Sequence, residues 1–264
     1  MTNNKMLKIA VVLLLFAVAI AFPATNETVK NEPSGRVVGG NNAVNGQFPF
    51  VASIRNANNV HTHQGALISN RWVVSVAWIM QGRTAFNTRV AFGSVVRNQG
   101  FMFFLRRLIV HPEFNSTTGA NDISLLQTII PVFHGSLVFP ASLTNFRLSG
   151  GERVTTLGWG NTMLGENTPQ ANSLQWISLQ VTNDQTCRNF FANDPNFPLA
   201  NGLCGISDAN MRGMCAGDEG GPMVIGNTVH GLMRISPWCG QGTNPDIFVP
   251  LFDFKDWIAS VRGF

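Results

Sequence analysis

The chain has 264 residues, 45% of them hydrophobic and 12% charged, with a formal net charge of +4. This length holds one large domain or two small ones around a real core, and the low charge fraction excludes a disordered chain. Twenty-six Gly and thirteen Pro without a fixed period exclude collagen and predict many turns, while a single long apolar run excludes a multi-span membrane protein.

That run comes first. Lys5 and Lys8 precede an uncharged stretch from Ile9 to Phe22 that ends in Ala19 and Ala21. Positive residues, a short apolar segment and an Ala-x-Ala end read as a secretory signal peptide over residues 1–21. Fourteen residues are too few for a comfortable membrane span. Residues 22–36 are polar and end in Ser34-Gly35-Arg36, which reads as a cleavable propeptide. Short β-rich runs then alternate with Gly, Asn and Pro, among them 50–55, 72–77, 101–110, 153–159, 174–182, 229–235 and 247–251. Turn signals at this density predict an all-β sandwich or barrel. Phe254, Trp257, Ile258 and Val261 recur at helical spacing, so the chain is expected to end in an amphipathic helix over about 254–263.

Charge and cysteine are unevenly spread. Between Val37 and Pro112 stand Arg55, Arg71, Arg83, Arg89, Arg97, Arg106 and Arg107 with no acid, whereas the rest of the chain is net acidic. Such a half could present an anion-attracting face, although a dispersed solvated set is the plainer reading. Cys187, Cys204, Cys215 and Cys239 are even in number and bound for an oxidising compartment, which predicts two disulfides with three connectivities open. Their spacing does not match a zinc site. Asn115-Ser116-Thr117 is an N-glycosylation sequon, as is Asn26-Glu27-Thr28 before the expected cut.

Several segments then carry a family likeness. Cys215-Ala216-Gly217-Asp218-Glu219-Gly220-Gly221-Pro222 resembles the nucleophile loop of the chymotrypsin-like (peptidase S1) serine proteases. Asn121-Asp122-Ile123-Ser124-Leu125-Leu126 resembles their triad-aspartate segment, and Val74-Ser75-Val76-Ala77-Trp78-Ile79 aligns with the segment that presents the histidine. Arg36-Val37-Val38-Gly39-Gly40 resembles the zymogen cleavage site, and Leu157-Gly158-Trp159-Gly160 is a further mark. The resemblance covers residues 36–264. It implies two antiparallel six-stranded β-barrels, about 37–140 and 141–253, followed by the C-terminal α-helix. It also implies the disulfides Cys187–Cys204 and Cys215–Cys239, and a Val37 amine that pairs with Asp218 after cleavage behind Arg36.

The chemistry departs from the family. Acyl transfer needs a hydroxyl nucleophile, a base to take its proton and an acid to orient that base. The nucleophile position holds Glu219 and the base position Trp78, whose indole has no basic nitrogen. Only Asp122 is of the expected type. The amides of Gly217 and Glu219 are the remnant of the oxyanion hole. Among the pocket walls, Gly213 replaces a floor aspartate, Arg234-Ile235-Ser236 replaces Ser-Trp-Gly, and Asp246 stands where glycine is usual. Two carboxylates in one cleft raise each other's pKa unless a cation joins them. Arg234 is therefore expected to pair with Asp122, Glu219 or both. His61 and His63 flank an expected turn before Gly65 and read as surface or packing histidines, not as ligands or a rescue base.

The expectation is a catalytically degenerate S1 homologue of a kind found in invertebrates, secreted and extracellular, needing no cofactor and no metal. It would act by binding an extracellular protein or ligand, as cofactor or decoy in a proteolytic or immune cascade. The alternatives are a serine-type endopeptidase, as family membership implies, and a binder of anionic glycans through the Arg-rich first barrel. Neither nucleic acid nor, once the signal is removed, a membrane is an expected partner.

Overall fold

The computed structural model describes residues 39–162, 169–192, 202–207, 212–240 and 244–263. The expected signal peptide, the propeptide, Arg36 and Val37 lie outside them.

A short strand, β1 (Asn41–Asn42), leads into six that close on themselves: β2 (Val51–Arg55), β3 (His61–Leu67), β4 (Trp72–Ser75), β5 (Arg89–Phe92), β6 (Phe101–Val110) and β7 (Ser124–Thr128). Around the ring the order is β2-β3-β4-β7-β6-β5, every pairing antiparallel, with β2 and β5 joined from Ser53↔Ala91 to Arg55↔Arg89. A second set follows β8 (Ser142–Leu143): β9 (Arg153–Gly158), β10 (Gln175–Val181), β11 (Leu203–Ile206), β12 (Pro222–Ile225), β13 (Thr228–Ile235) and β14 (Asp246–Pro250). These run β10-β11-β14-β13-β12-β9 and return to β10 through Gln175↔Gly158 to Gln180↔Arg153, so this ring closes too. The fold is two six-stranded antiparallel barrels of the chymotrypsin type. Closure removes the exposed strand edges that an open sheet would have to protect.

Local chemistry sets the boundaries. The β2–β3 turn lies at Asn56–Val60, where Asn59 adopts φ 61° and Asn56 Oδ1 accepts the amides of Asn58 and Val60. His61 and His63 therefore do not flank a turn. They sit on β3, opposite Arg55 and Ile54. A helix α1 (Asp184–Phe191), not foreseen from the sequence, is capped by Asn183, whose Oδ1 accepts the Thr186 amide at 2.8 Å. Its two buried residues, Cys187 and Phe191, are too few to print a periodic stripe.

The disulfides are Cys187–Cys204 and Cys215–Cys239, the pairing that the family resemblance implied. The first ties α1 to β11. At the C-terminus a 3₁₀ turn (Leu251–Phe254) precedes the helix α2 (Lys255–Arg262), which ends at Gly263. Ile258 is fully buried, and His111, just beyond β6, lies 4.8 Å from Trp257 and 5.9 Å from Phe254 between ring centres. The helix thus fastens to the first barrel. No described helix is long and apolar enough to cross a membrane.

Replacing both Cys187 and Cys204 by Ala is expected to cost about 3 kcal/mol for a loop of this length, read from chemical denaturation against the wild type. An unchanged midpoint would show that α1 is held by packing alone.

Candidate functional site

Three segments meet between the barrels. Trp78 opens a 3₁₀ turn (Trp78–Met80) after β4, Asp122 lies just before β7, and Glu219 just before β12. The β4–β7 ladder, ending at Ser75↔Ser124, brings the first two together. The amides of Ala77 and Trp78 donate to Asp122 Oδ1 at 2.7 and 2.8 Å. The third segment docks by its backbone: Gln64 N donates to Glu219 O at 3.2 Å and Gly220 N to Met233 O at 2.8 Å. Gly220 has φ +80°, and a Cβ there would run into the Gln64 carbonyl and the Ser75 hydroxyl. Only glycine allows this approach.

Side-chain chemistry diverges from this assembled frame. Trp78, 39% exposed, donates its indole N–H to the Arg234 carbonyl at 3.2 Å, with its ring 6.3 Å from that of His63. Asp122 is buried, and Arg234 Nε stands 3.4 Å from its Oδ2 as an ion pair. Burial still dominates: Asp122 is pushed up to about 6, although the Trp78 amide, Arg234 and the Ala77 amide all pull it down. The Arg234 guanidinium lies against Gly119, where φ is +64° and any Cβ would overlap it. A cleft of about 170 Å³ opens beside the pair, lined by Ala120, Asp122, Arg234, Phe248 and Phe254 among others.

Glu219 behaves differently. Its Oε2 accepts the Gly217 amide at 2.8 Å, so the carboxylate rests on a donor of the expected oxyanion-hole remnant. Burial is the main cause of its raised pKa, opposed by its own amide and that of Gly217. The expected mutual repulsion of Asp122 and Glu219 is thus replaced by burial, acting on each separately. The ion pair with Arg234 falls to Asp122.

Comparison with known proteins now bears on this frame. Residues 37–258 match the trypsin family. The chain belongs to that family. It is 30% identical over 253 residues to a trypsin of Phaedon cochleariae, covering 93% of this chain and 96% of that protein. It is similarly 30% identical over 226 residues to chymotrypsin-2 of Vespa crabro, covering 84% and 98%. With trypsin-3 of Salmo salar the identity is 28% over 250 residues, covering 94% and 99%.

Other positions of this trypsin-family chain follow from packing. Asp218 is fully buried. Its Oδ1 takes the Gly160 amide at 2.7 Å and its Oδ2 the Cys215 amide at 2.9 Å. Burial lifts it to about 8, and Glu219 and Asp246 add to the rise. Asp246 is buried behind the expected pocket walls. It accepts the Met214 amide at 2.9 Å and the Ser236 hydroxyl, and burial lifts it to about 7. Gly213 is buried, whereas Ile235 and Ser236 are partly exposed. Asn115 is exposed, its Oδ1 engaged by the amides of Thr117 and Thr118.

His61 is an interior residue, bonded to Ser53 Oγ at 2.9 Å and set 5.1 Å from the Trp159 ring. Burial lowers it to about 3 and His63 to about 4, so both stay neutral. Among the described residues no three His, Cys, Asp or Glu cluster to hold a metal. Arg55, counted with the basic half, is buried and satisfied by Ser53, Asn59 and the carbonyls of Asn98 and Gln99. Sequence reading missed Gln64. It is buried, donating to Gly217 O at 3.0 Å and accepting from Trp159 N at 3.2 Å. A lone glutamine in a strand carries no pattern that could have flagged it.

Asp246 sets a pH test. Folded it titrates at about 7 against a usual 3.8, so between those values the folded state holds the extra proton and stability falls as pH rises. Asp246→Asn removes this slope. Relative to wild type, the variant's melting midpoint should climb from pH 4.5 through pH 7 and level off once Asp246 is fully ionised above that value. Taking the difference cancels His61 and His63, whose lowered values act the opposite way. A pH-independent difference would show Asp246 to be ionised throughout.

Proposed function

We propose that this trypsin-family chain is a secreted protein that does not cleave peptides and acts by binding an extracellular protein or ligand. One observation carries the reading: the carboxylate at the nucleophile position rests on the Gly217 amide at 2.8 Å. Acyl transfer needs that donor for the developing oxyanion, and an arriving carbonyl oxygen would first have to displace a carboxyl group of the chain itself. The base position supports the same conclusion, since the Trp78 indole donates to the Arg234 carbonyl and has no lone pair to accept a proton. Asp122, which would orient a histidine, is paired with Arg234. Loss of a triad member leaves only about 10³–10⁴-fold catalysis over water, from binding and the oxyanion donors. Here the donors are engaged as well.

The apolar N-terminal run and the two disulfides support export. Cleavage behind Arg36 would free a Val37 amine for Asp218, and a buried carboxylate lifted to about 8 stands to gain most from a cation. Such a switch works without catalysis and suits a cofactor or decoy in an extracellular cascade. The exposed Asn115 is suited to carry a glycan. The names of the relatives favour a second reading, a serine-type endopeptidase.

Peptide-amide hydrolysis separates the two. The wild type cut behind Arg36 should show no turnover above background. The Trp78→His, Glu219→Ser double variant should stay weak while Arg234 holds Asp122. Adding Arg234→Ser should raise turnover on the order of 10²-fold or more, given the roughly 10⁴-fold that a correctly engaged triad carboxylate contributes. Turnover by the wild type would overturn the non-catalytic reading.

A further inference from the structure

The outer face of the first barrel carries a feature unrelated to the cleft. Along β6 the side chains alternate: Phe103 and Leu105 are buried, and Met102, Phe104 and Arg106 face outward. An outward barrel face is ordinarily polar. Here Phe101 is 63% exposed and Phe104 50%, and the segment after β7 adds Phe133 at 79%. Between β6 and residues 130–138 runs a groove of about 530 Å³ whose lining includes Met102, Phe133 and Leu137. Contiguous apolar surface of this kind marks a binding site, and single small ligands occupy pockets of roughly 300–1,000 Å³.

One end of this surface is basic. Arg89 pairs with Phe104 across β5–β6 and lays its guanidinium 5.0 Å over that ring, with one terminal nitrogen buried there and lacking a hydrogen-bond partner among the described residues. Arg106 follows Phe104 on the same outward face, and Arg71 donates to the Ile129 carbonyl at 2.6 Å, next to the groove. Among the described residues none of these three arginines has an ion pair with a carboxylate. No Asp or Glu occurs between residues 37 and 112 or in the groove lining. An apolar groove beside a strand whose outward row runs on from Met102 and Phe104 to Arg106 is complementary to a molecule with an apolar body and an anionic head. Its concavity and volume suit a single chain better than a flat bilayer or a protein surface.

We propose that the first barrel binds one anionic amphiphile of the fatty-acid class. The unbranched chain lies between β6 and residues 130–138, and the carboxylate lies at Arg89 and Arg106. The site is independent of Trp78 and Glu219, so it stands or falls apart from the function proposed above.

The test is calorimetric titration of the full chain with dodecanoate, dodecyltrimethylammonium and dodecyl maltoside, each below its micelle concentration. Dodecanoate should bind one to one and most tightly. Decanoate should bind about fifteenfold more weakly, at about fourfold per methylene. Arg89→Glu with Arg106→Glu should remove the preference for the anion while keeping the dependence on chain length. Phe133→Glu, at a position exposed enough to leave the melting midpoint unchanged, should weaken all three ligands at least tenfold. The proposal is overturned by absence of dodecanoate binding, by equal affinity for the three head groups, or by binding that survives Phe133→Glu. Binding only to vesicles of anionic phospholipid would point to a bilayer instead. A dimer in sedimentation that Phe133→Glu dissociates would assign the groove to a second copy.

Discussion

Everything at the cleft depends on how closely the Cys215–Pro222 loop lies against strand β3. Gly220 has no side chain to hold the two backbones apart, so Glu219 O reaches the Gln64 amide and Gly220 N reaches Met233 O. Gln64 then spans the seam with its side chain, giving its N–H to Gly217 O and its carbonyl to Trp159 N. These are backbone-directed bonds, indifferent to which side chain stands at 219. The backbone frame at the expected triad positions is therefore assembled whichever side chains it carries.

What fills the frame is a set of four buried carboxylates, Asp122, Asp218, Glu219 and Asp246. Each takes at least one backbone amide, and for each burial is the largest cause of a raised pKa. Desolvation outweighs two amides and a guanidinium at Asp122, which decides the direction of its shift. Burial makes the charge of each costly, so each gains from any cation that reaches it. Arg234 supplies one to Asp122, and a new N-terminus would supply one to Asp218. The carboxylates of the cleft are thus turned inward, onto the chain's own amides. The apolar face of the first barrel lies apart from these groups.

Much of the architecture was legible in the residues. Short β-rich runs between turn residues announced an all-β fold, and the spacing of Phe254, Trp257, Ile258 and Val261 announced the terminal helix. The run at 101–110 coincides with β6 because its ends are marked by Gly100 and by His111-Pro112. Helix α1 was not visible, since a capping asparagine and two buried residues make no stripe. His61 and His63 were placed on either side of a turn that instead closes before both, at Asn56–Val60, because Asn59 adopts a left-handed conformation there. The pairing of cysteines and the two-barrel division came from resemblance, not from pattern.

The residue types at the expected triad positions were determined by sequence alone: an indole, Asp122 and a second carboxylate stand there, whatever the geometry. Where Glu219 would turn, and which carboxylate Arg234 would join, were not. The second depends on a distance between segments far apart in the chain, set by the ladders of two closed barrels, and the first on a turn back to Gly217 within a loop whose course its docking on β3 fixes. The same holds for the groove. An alternation of Met102, Phe104 and Arg106 reads as an ordinary strand until the pleat shows which face lies outside. Residue type is local and chemical, so the sequence carries it; solvent exposure and charge pairing are properties of packing, and only the tertiary structure decided them.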